Sequence, residues 1–93
     1  MSVQFLLEID LSGADIELFD RYEDVALRLF AEHGGVVLAR VRDVGELREW
    51  HLLGVPNRAS WEAFRSDPRR IEHTWLLDRA NVAVQRHEVW TVD

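Results

Sequence analysis

Apolar and polar residues alternate with a period of two from Val3 to Asp10. Phe5, Leu7 and Ile9 fall on one side, and Gln4, Leu6 and Glu8 on the other. This pattern predicts a β-strand. Ser12, with Leu11 before it and Asp15 three residues on, has the form of a helix N-cap with a capping acid and a hydrophobic staple. From Ile16 onward Leu18, Phe19, Tyr22, Val25, Ala26, Leu29 and Phe30 recur at steps of three and four, and Gly34-Gly35 ends the predicted helix. Val36–Val41 and Leu47–Val55 read as two further strands joined by a turn at Asp43-Val44-Gly45-Glu46. Pro56-Asn57 opens a short helix with Trp61 and Phe64 on one face. Asp67-Pro68, an N-cap and first-position pair, restarts it as a last helix carrying Ile71, Trp75 and Leu76 inward. Asn81–Val92 reads as a fourth strand.

The order β-α-β-β-α-β, with the second helix interrupted, predicts an α+β, ferredoxin-like domain with a four-stranded antiparallel sheet. A chain of 93 residues fits one such domain, 1–93, and shows no repeat, linker or low-complexity segment.

Composition narrows the chemistry. The chain has no cysteine, and all eleven of its basic residues are arginine. Schiff-base lysines, phosphate-loop lysines, thiol nucleophiles, thiolate metal sites and disulfides are therefore excluded. The net charge is −6, with the basic residues scattered, which predicts no nucleic-acid or membrane partner. No signal-peptide pattern precedes the first strand, so a cytoplasmic protein is expected. His33, His51, His73 and His87 fall in four separate elements without ligand spacing, so no metal site is expected either. The serines lie in the tail, caps or helix and lack a nucleophile-elbow context.

Four stretches carry a resemblance: Glu32-His33-Gly34-Gly35-Val36-Val37-Leu38-Ala39-Arg40 at the helix end and second strand, Tyr22 on the helix before it, Val55-Pro56-Asn57, and Ser66-Asp67-Pro68. Together they resemble a family of small domains of unknown function in the dimeric α/β-barrel superfamily, related to antibiotic-biosynthesis monooxygenases, polyketide cyclases and muconolactone isomerase. The resemblance implies a homodimer with two sheets packed face to face and the helices outside. It also implies cofactor-independent chemistry, so no cofactor is expected.

Strand alternation then gives two sets of candidate residues. If the face with Phe5, Leu7 and Ile9 lies under the helices, Glu8, Arg40, Glu49 and His51 lie on the other face, which the resemblance sets against the partner subunit. Glu49 and His51, two apart on one strand, emerge side by side, and a histidine flanked by carboxylates suits acid–base work near neutrality. The catalytic candidates are therefore His51, Glu49, Glu8 and Arg40, with the histidine taking a proton, a carboxylate orienting it and Arg40 stabilising an oxyanion. The substrate-binding candidates are Tyr22, Trp50, Trp61, His73 and Trp75, with Phe64, in a pocket between sheet and helices. Arg65, Arg69, Arg70 and Arg79 read as a solvated helix face, with anion capture at the restart after Asp67 as the alternative.

Two functions fit these expectations. One is a cofactor-independent oxygenase, cyclase or isomerase acting by proton transfer on a small aromatic or polyketide-like carbonyl compound. The other is a non-catalytic homodimer that binds a small ligand or a partner, its polar set fixing the interface.

Overall fold

Strands β1 (Val3–Asp10), β2 (Val36–Arg42), β3 (Arg48–Val55) and β4 (Ala83–Val89) form one antiparallel sheet in the order β2-β3-β1-β4. The structure is a computed structural model that describes residues 2–92. The apolar β1 lies inside the sheet beside β3. The edges fall to β2, with Arg40 and Arg42, and to β4, with Arg86, His87 and Glu88, where charge deters pairing with further strands. Helices α1 (Ile16–Glu32), α2 (Arg58–Arg65), the single turn α3 (Pro68–Ile71) and α4 (Trp75–Ala80) cover one face of this sheet. This is the α+β, ferredoxin-like order expected from the pattern.

Local chemistry moved several boundaries. Asp15 caps α1, its carboxylate accepting from the Leu18 N–H at 3.2 Å, whereas Ser12 is held by Asp10 in a turn that closes β1. Gly34, at φ +82°, stops α1, and Gly35 follows because an added Cβ would lie 2.5 Å from the Phe30 ring. Asp67 and Pro68 start α3 as expected, but only Leu76 of the three residues assigned inward is buried. Ile71 and Trp75 are 53% and 45% exposed. The turn at residues 72–74 separates Ile71 from α4, and within α4 Trp75 and Leu76, one residue apart, point about 100° away from each other, so that Leu76 alone turns inward. Asn81 caps α4 in the left-handed region, which delays β4 to Ala83.

The largest correction concerns the faces of the sheet. Register sets Leu53, His51 and Glu49 of β3 against Phe5, Leu7 and Ile9 of β1, so Glu49 and His51 lie beneath the helices and not on the outer face. Alternation alone could not decide this, because Trp50 and Leu52 make the opposite face of β3 as apolar as Leu53 and Val55 make the buried one. Arg40 and Arg42 of β2 pair with His51 and Glu49, after a register shift between Val37 and Ala39. The outer face instead presents Leu6, Trp50, Leu52, Val36, Leu38 and Val41, and no helix covers it.

Candidate active site

His51 and Glu49 are 1% and 2% exposed. Their side chains meet on the helix-facing side of β3, His51 Nε2 lying 2.5 Å from Glu49 Oε2. The edge strand supplies the counter-charge: Arg42 Nε donates to Glu49 Oε1 at 2.7 Å and Arg40 Nε to Oε2 at 3.2 Å. Arg42 also donates to Asp20 of α1 at 2.7 Å, which fastens the sheet edge to the helix.

These contacts set the protonation states. Burial pushes the Glu49 carboxyl up, but the hydrogen bonds from His51 and Arg42 and the charge of Arg40 outweigh it, and its pKa ends below the ordinary value. Burial likewise pushes His51 down, and here it prevails over the pull of Glu49. A neutral imidazole bonded to an ionised carboxylate must carry its proton on Nε2, which leaves the lone pair on Nδ1.

Nδ1 faces a residue absent from the sequence-derived candidates. Glu23 of α1 is 7% exposed, no described residue donates a hydrogen bond to it, and its Oε2 lies 3.7 Å from His51 Nδ1. That separation exceeds a hydrogen bond. Burial raises the Glu23 pKa from 4.5 to about 7, with Arg40 opposing the rise and Glu49 adding to it. Near neutrality the cluster therefore sets a neutral base beside a carboxyl that is part protonated. The signal was present in the sequence: Glu23 stands four residues after Phe19 and three before Ala26, inside the apolar stripe of the helix.

Glu23, Glu49 and His51 also bring ligand atoms within 4.8 Å of one another, the spacing of a cation site. Arg40 and Arg42 already neutralise Glu49 and hold both of its oxygens, so the set is arranged for a proton more than for a metal ion.

Glu23 and His51 line a cavity of about 440 Å³ between the sheet and the helices, within the ordinary range for small-molecule sites. Its aromatic wall comes from Tyr22 of α1 and Trp61 and Phe64 of α2. Phe30 meets Phe64 edge-on at 5.2 Å between ring centres, and Phe5 lies against Trp61 at 4.5 Å. Asn57 caps α2 by accepting from the Ser60 N–H at 2.8 Å, which orients this wall.

Tyr22 and Trp61 thus stand where the pocket was expected. Trp50 does not, because it shares the outer face with Glu8. Trp75 is turned toward solvent, and His73 bonds through Nδ1 to the Arg69 carbonyl at 2.7 Å, away from the cavity. Glu8 is separated from His51 by the sheet itself and pairs with Arg48 at 3.1 Å. Arg40 holds Glu49 from the side of β2 and does not border the cavity, so it supports the carboxylate and stabilises no oxyanion there.

No protein-family model and no curated protein matches the chain. Solved structures do. SnoaB, a cofactor-independent oxygenase from Streptomyces nogalater, superposes with a TM-score of 0.80 at 16% identity, over 99% of this chain and 94% of that one. The chain has the ferredoxin-like fold. A protein of unknown function from Rhodopseudomonas palustris shares this ferredoxin-like fold, with a TM-score of 0.77 at 14% identity over 98% of this chain and 84% of that one. So does a protein from Bacteroides thetaiotaomicron provisionally designated an antibiotic biosynthesis monooxygenase, with a TM-score of 0.70 at 14% identity, over 99% and 90%.

Proposed function

We propose that the protein is a cofactor-independent enzyme of the oxygenase, cyclase or isomerase kind, acting by proton transfer on a small aromatic carbonyl compound bound between sheet and helices. The observation that carries this reading is the placement of His51. Its Nε2 is fixed by an ionised carboxylate, its Nδ1 is free as a base, and it borders a cavity large enough for a fused ring system. Glu49 would keep the imidazole in one tautomer and stabilise the imidazolium that forms. Glu23, part protonated near pH 7, would return a proton or donate to the carbonyl oxygen as the carbanion develops. The likeness to SnoaB supports the general kind of chemistry.

The dimer belongs to the same proposal. One face of the sheet carries Val36, Leu38 and Val41 at 57%, 48% and 56% exposure, beside Leu6, Trp50 and Leu52. A second copy packing on this face would bury it and leave the helices and the cavity outside.

A second reading rests on the 1% exposure of His51: the cluster would only lock β2 and β3 to α1, and the cavity would bind a ligand without turning it over. One experiment separates the two. Anthrone, a flat ketone with an acidic methylene, is incubated with the protein in D₂O, and deuterium wash-in is followed by NMR. The enzyme reading expects catalysed exchange that His51→Ala abolishes. Binding without faster exchange leaves the second reading.

A further inference from the structure

The cavity has a second chemical feature, at the end away from Glu49. Arg65 of α2, Arg70 of α3 and Arg86 of β4 all border it, and the same three line a shallow recess on its outer side. In a chain of net charge −6, none of these three forms an ion pair with any described residue. The acids nearest to them do not serve. Glu62 shares the recess but pairs with none of them, and Glu88, next along the same face of β4, is taken by Arg58. Arg69, next to Arg70 in α3, is by contrast bound by Asp67 and Glu32.

Two of the guanidinium groups are held in place by the fold. Arg70 donates through Nε and Nη2 to the Arg65 carbonyl at 3.2 and 2.8 Å, and through Nη1 to the Tyr22 hydroxyl at 3.1 Å. Arg86 stacks over the Phe5 and Trp61 rings, at 5.3 and 5.4 Å from their centres. The Arg65 guanidinium lies 6.0 Å from the Trp61 centre. Forks set against aromatic rings suit the binding of a planar anion attached to a flat apolar body.

Register fixes the distance to the base. His51 pairs with Leu7, and Leu7 with Arg86, so histidine and arginine share one face two strands apart. At the usual strand spacing their backbones are roughly 10 Å apart, about the span of a pair of fused rings with one substituent.

We propose that Arg65, Arg70 and Arg86 form an anion subsite, and that the ligand of this cavity is an aromatic compound bearing a carboxylate, held at the arginines while its far end meets His51 and Glu23. This rests on the cavity being the ligand site, as in the function proposed above. It adds a substrate class: ionised aromatic acids over their neutral counterparts.

The test uses 2-naphthoate, its neutral isostere 2-naphthamide and 2-naphthyl phosphate, with binding followed by quenching of tryptophan fluorescence. Wild-type protein is expected to bind the naphthoate at least tenfold more tightly than the amide, with the gap narrowing as salt is raised. Arg70→Gln and Arg86→Gln should each remove most of that preference, weakening the naphthoate far more than the amide. Arg86→Gln keeps the test decisive if loss of the Arg70 bonds disturbs the fold, since the Arg86 side chain donates no hydrogen bond to any described residue. Equal affinity for acid and amide, or a preference that survives both substitutions, overturns the subsite while the cavity stands. A phosphate ester bound more tightly than the naphthoate overturns the carboxylate assignment. Failure of all three probes to bind overturns the cavity reading and the subsite with it.

Discussion

The carboxyl of Glu23 stands 3.7 Å from the imidazole Nδ1 of His51, a base and an acid presented by a helix and by the strand beneath it. Their environment moves them in opposite directions: burial lowers the histidine and raises the glutamate to about 7. Two neighbouring groups shifted in opposite senses, the acid up to about 7, are suited to exchange a proton near physiological pH.

Stability should record the Glu23 shift. Unfolded, Glu23 ionises near 4.5; folded, it does so at about 7. Between these values the folded state holds the extra proton, so the Glu23 contribution is complete below pH 4.5 and is lost as pH rises through 7. Asp20, Glu49, His51, Arg40 and Arg42 face the same carboxyl and are common to wild type and variant, so the difference between them isolates Glu23. Urea denaturation should find Glu23→Gln equal to wild type near pH 4.5 and more stable at pH 8, by about 3 kcal/mol at most. A difference that does not change with pH would refute the buried-acid assignment.

Glu49 supports both the base and the sheet edge. Replacing it with glutamine takes from the partly buried Arg42 one of its anionic partners, leaving Asp20, and removes the charge that holds the imidazole tautomer. The expected cost is about 2 kcal/mol, a fall of roughly 10 °C in Tm for a domain of this size. Turnover of any identified substrate should drop about a hundredfold. Calorimetry that returned an unchanged Tm would show that the ion pair contributes nothing.

Much of this arrangement could be read from the chain, and the part that could not has a definite cause. The helix stop at Gly34-Gly35, the helix opening at Pro56-Asn57, the Asp67-Pro68 restart and the order of elements along the chain all rest on local signals, and each appears in the structure. The pairing of Glu49 with His51 was legible because a period of two sets them side by side. Which face they occupied was not, since both faces of β3 are apolar and only pairing with β1 distinguishes them. That single choice grouped Glu8 with His51, misplaced Trp50 and hid Glu23, whose position in the helix stripe has meaning only once His51 is known to lie below it.

The Gly35 position is a direct test of packing behind the cavity. A methyl group there would lie 2.5 Å from the Phe30 ring, which is 1% exposed and stacked edge-on against Phe64. Gly35→Ala should cost about 2 kcal/mol by overpacking and should weaken binding of aromatic probes, because Phe30 and Phe64 both line the pocket. Wild-type stability in the variant would mean that the ring has room to move.

The outer face of the sheet bears on assembly. Leu52 lies near its centre, on β3 between the side chains of β1 and β2. A sheet face that leaves Leu6, Trp50, Leu52, Val36, Leu38 and Val41 bare of helices is stable in water only at some risk of association, and pairing with a second copy removes that risk. Light scattering should give twice the 10.9 kDa chain mass for wild type at micromolar concentration. Leu52→Glu places a charge in the middle of the face without touching the core beneath the helices. It should give the single-chain mass with an unchanged far-ultraviolet spectrum. A wild-type protein that runs at 10.9 kDa would overturn the dimer, while the cavity, built from one chain alone, would keep its residues and its chemistry.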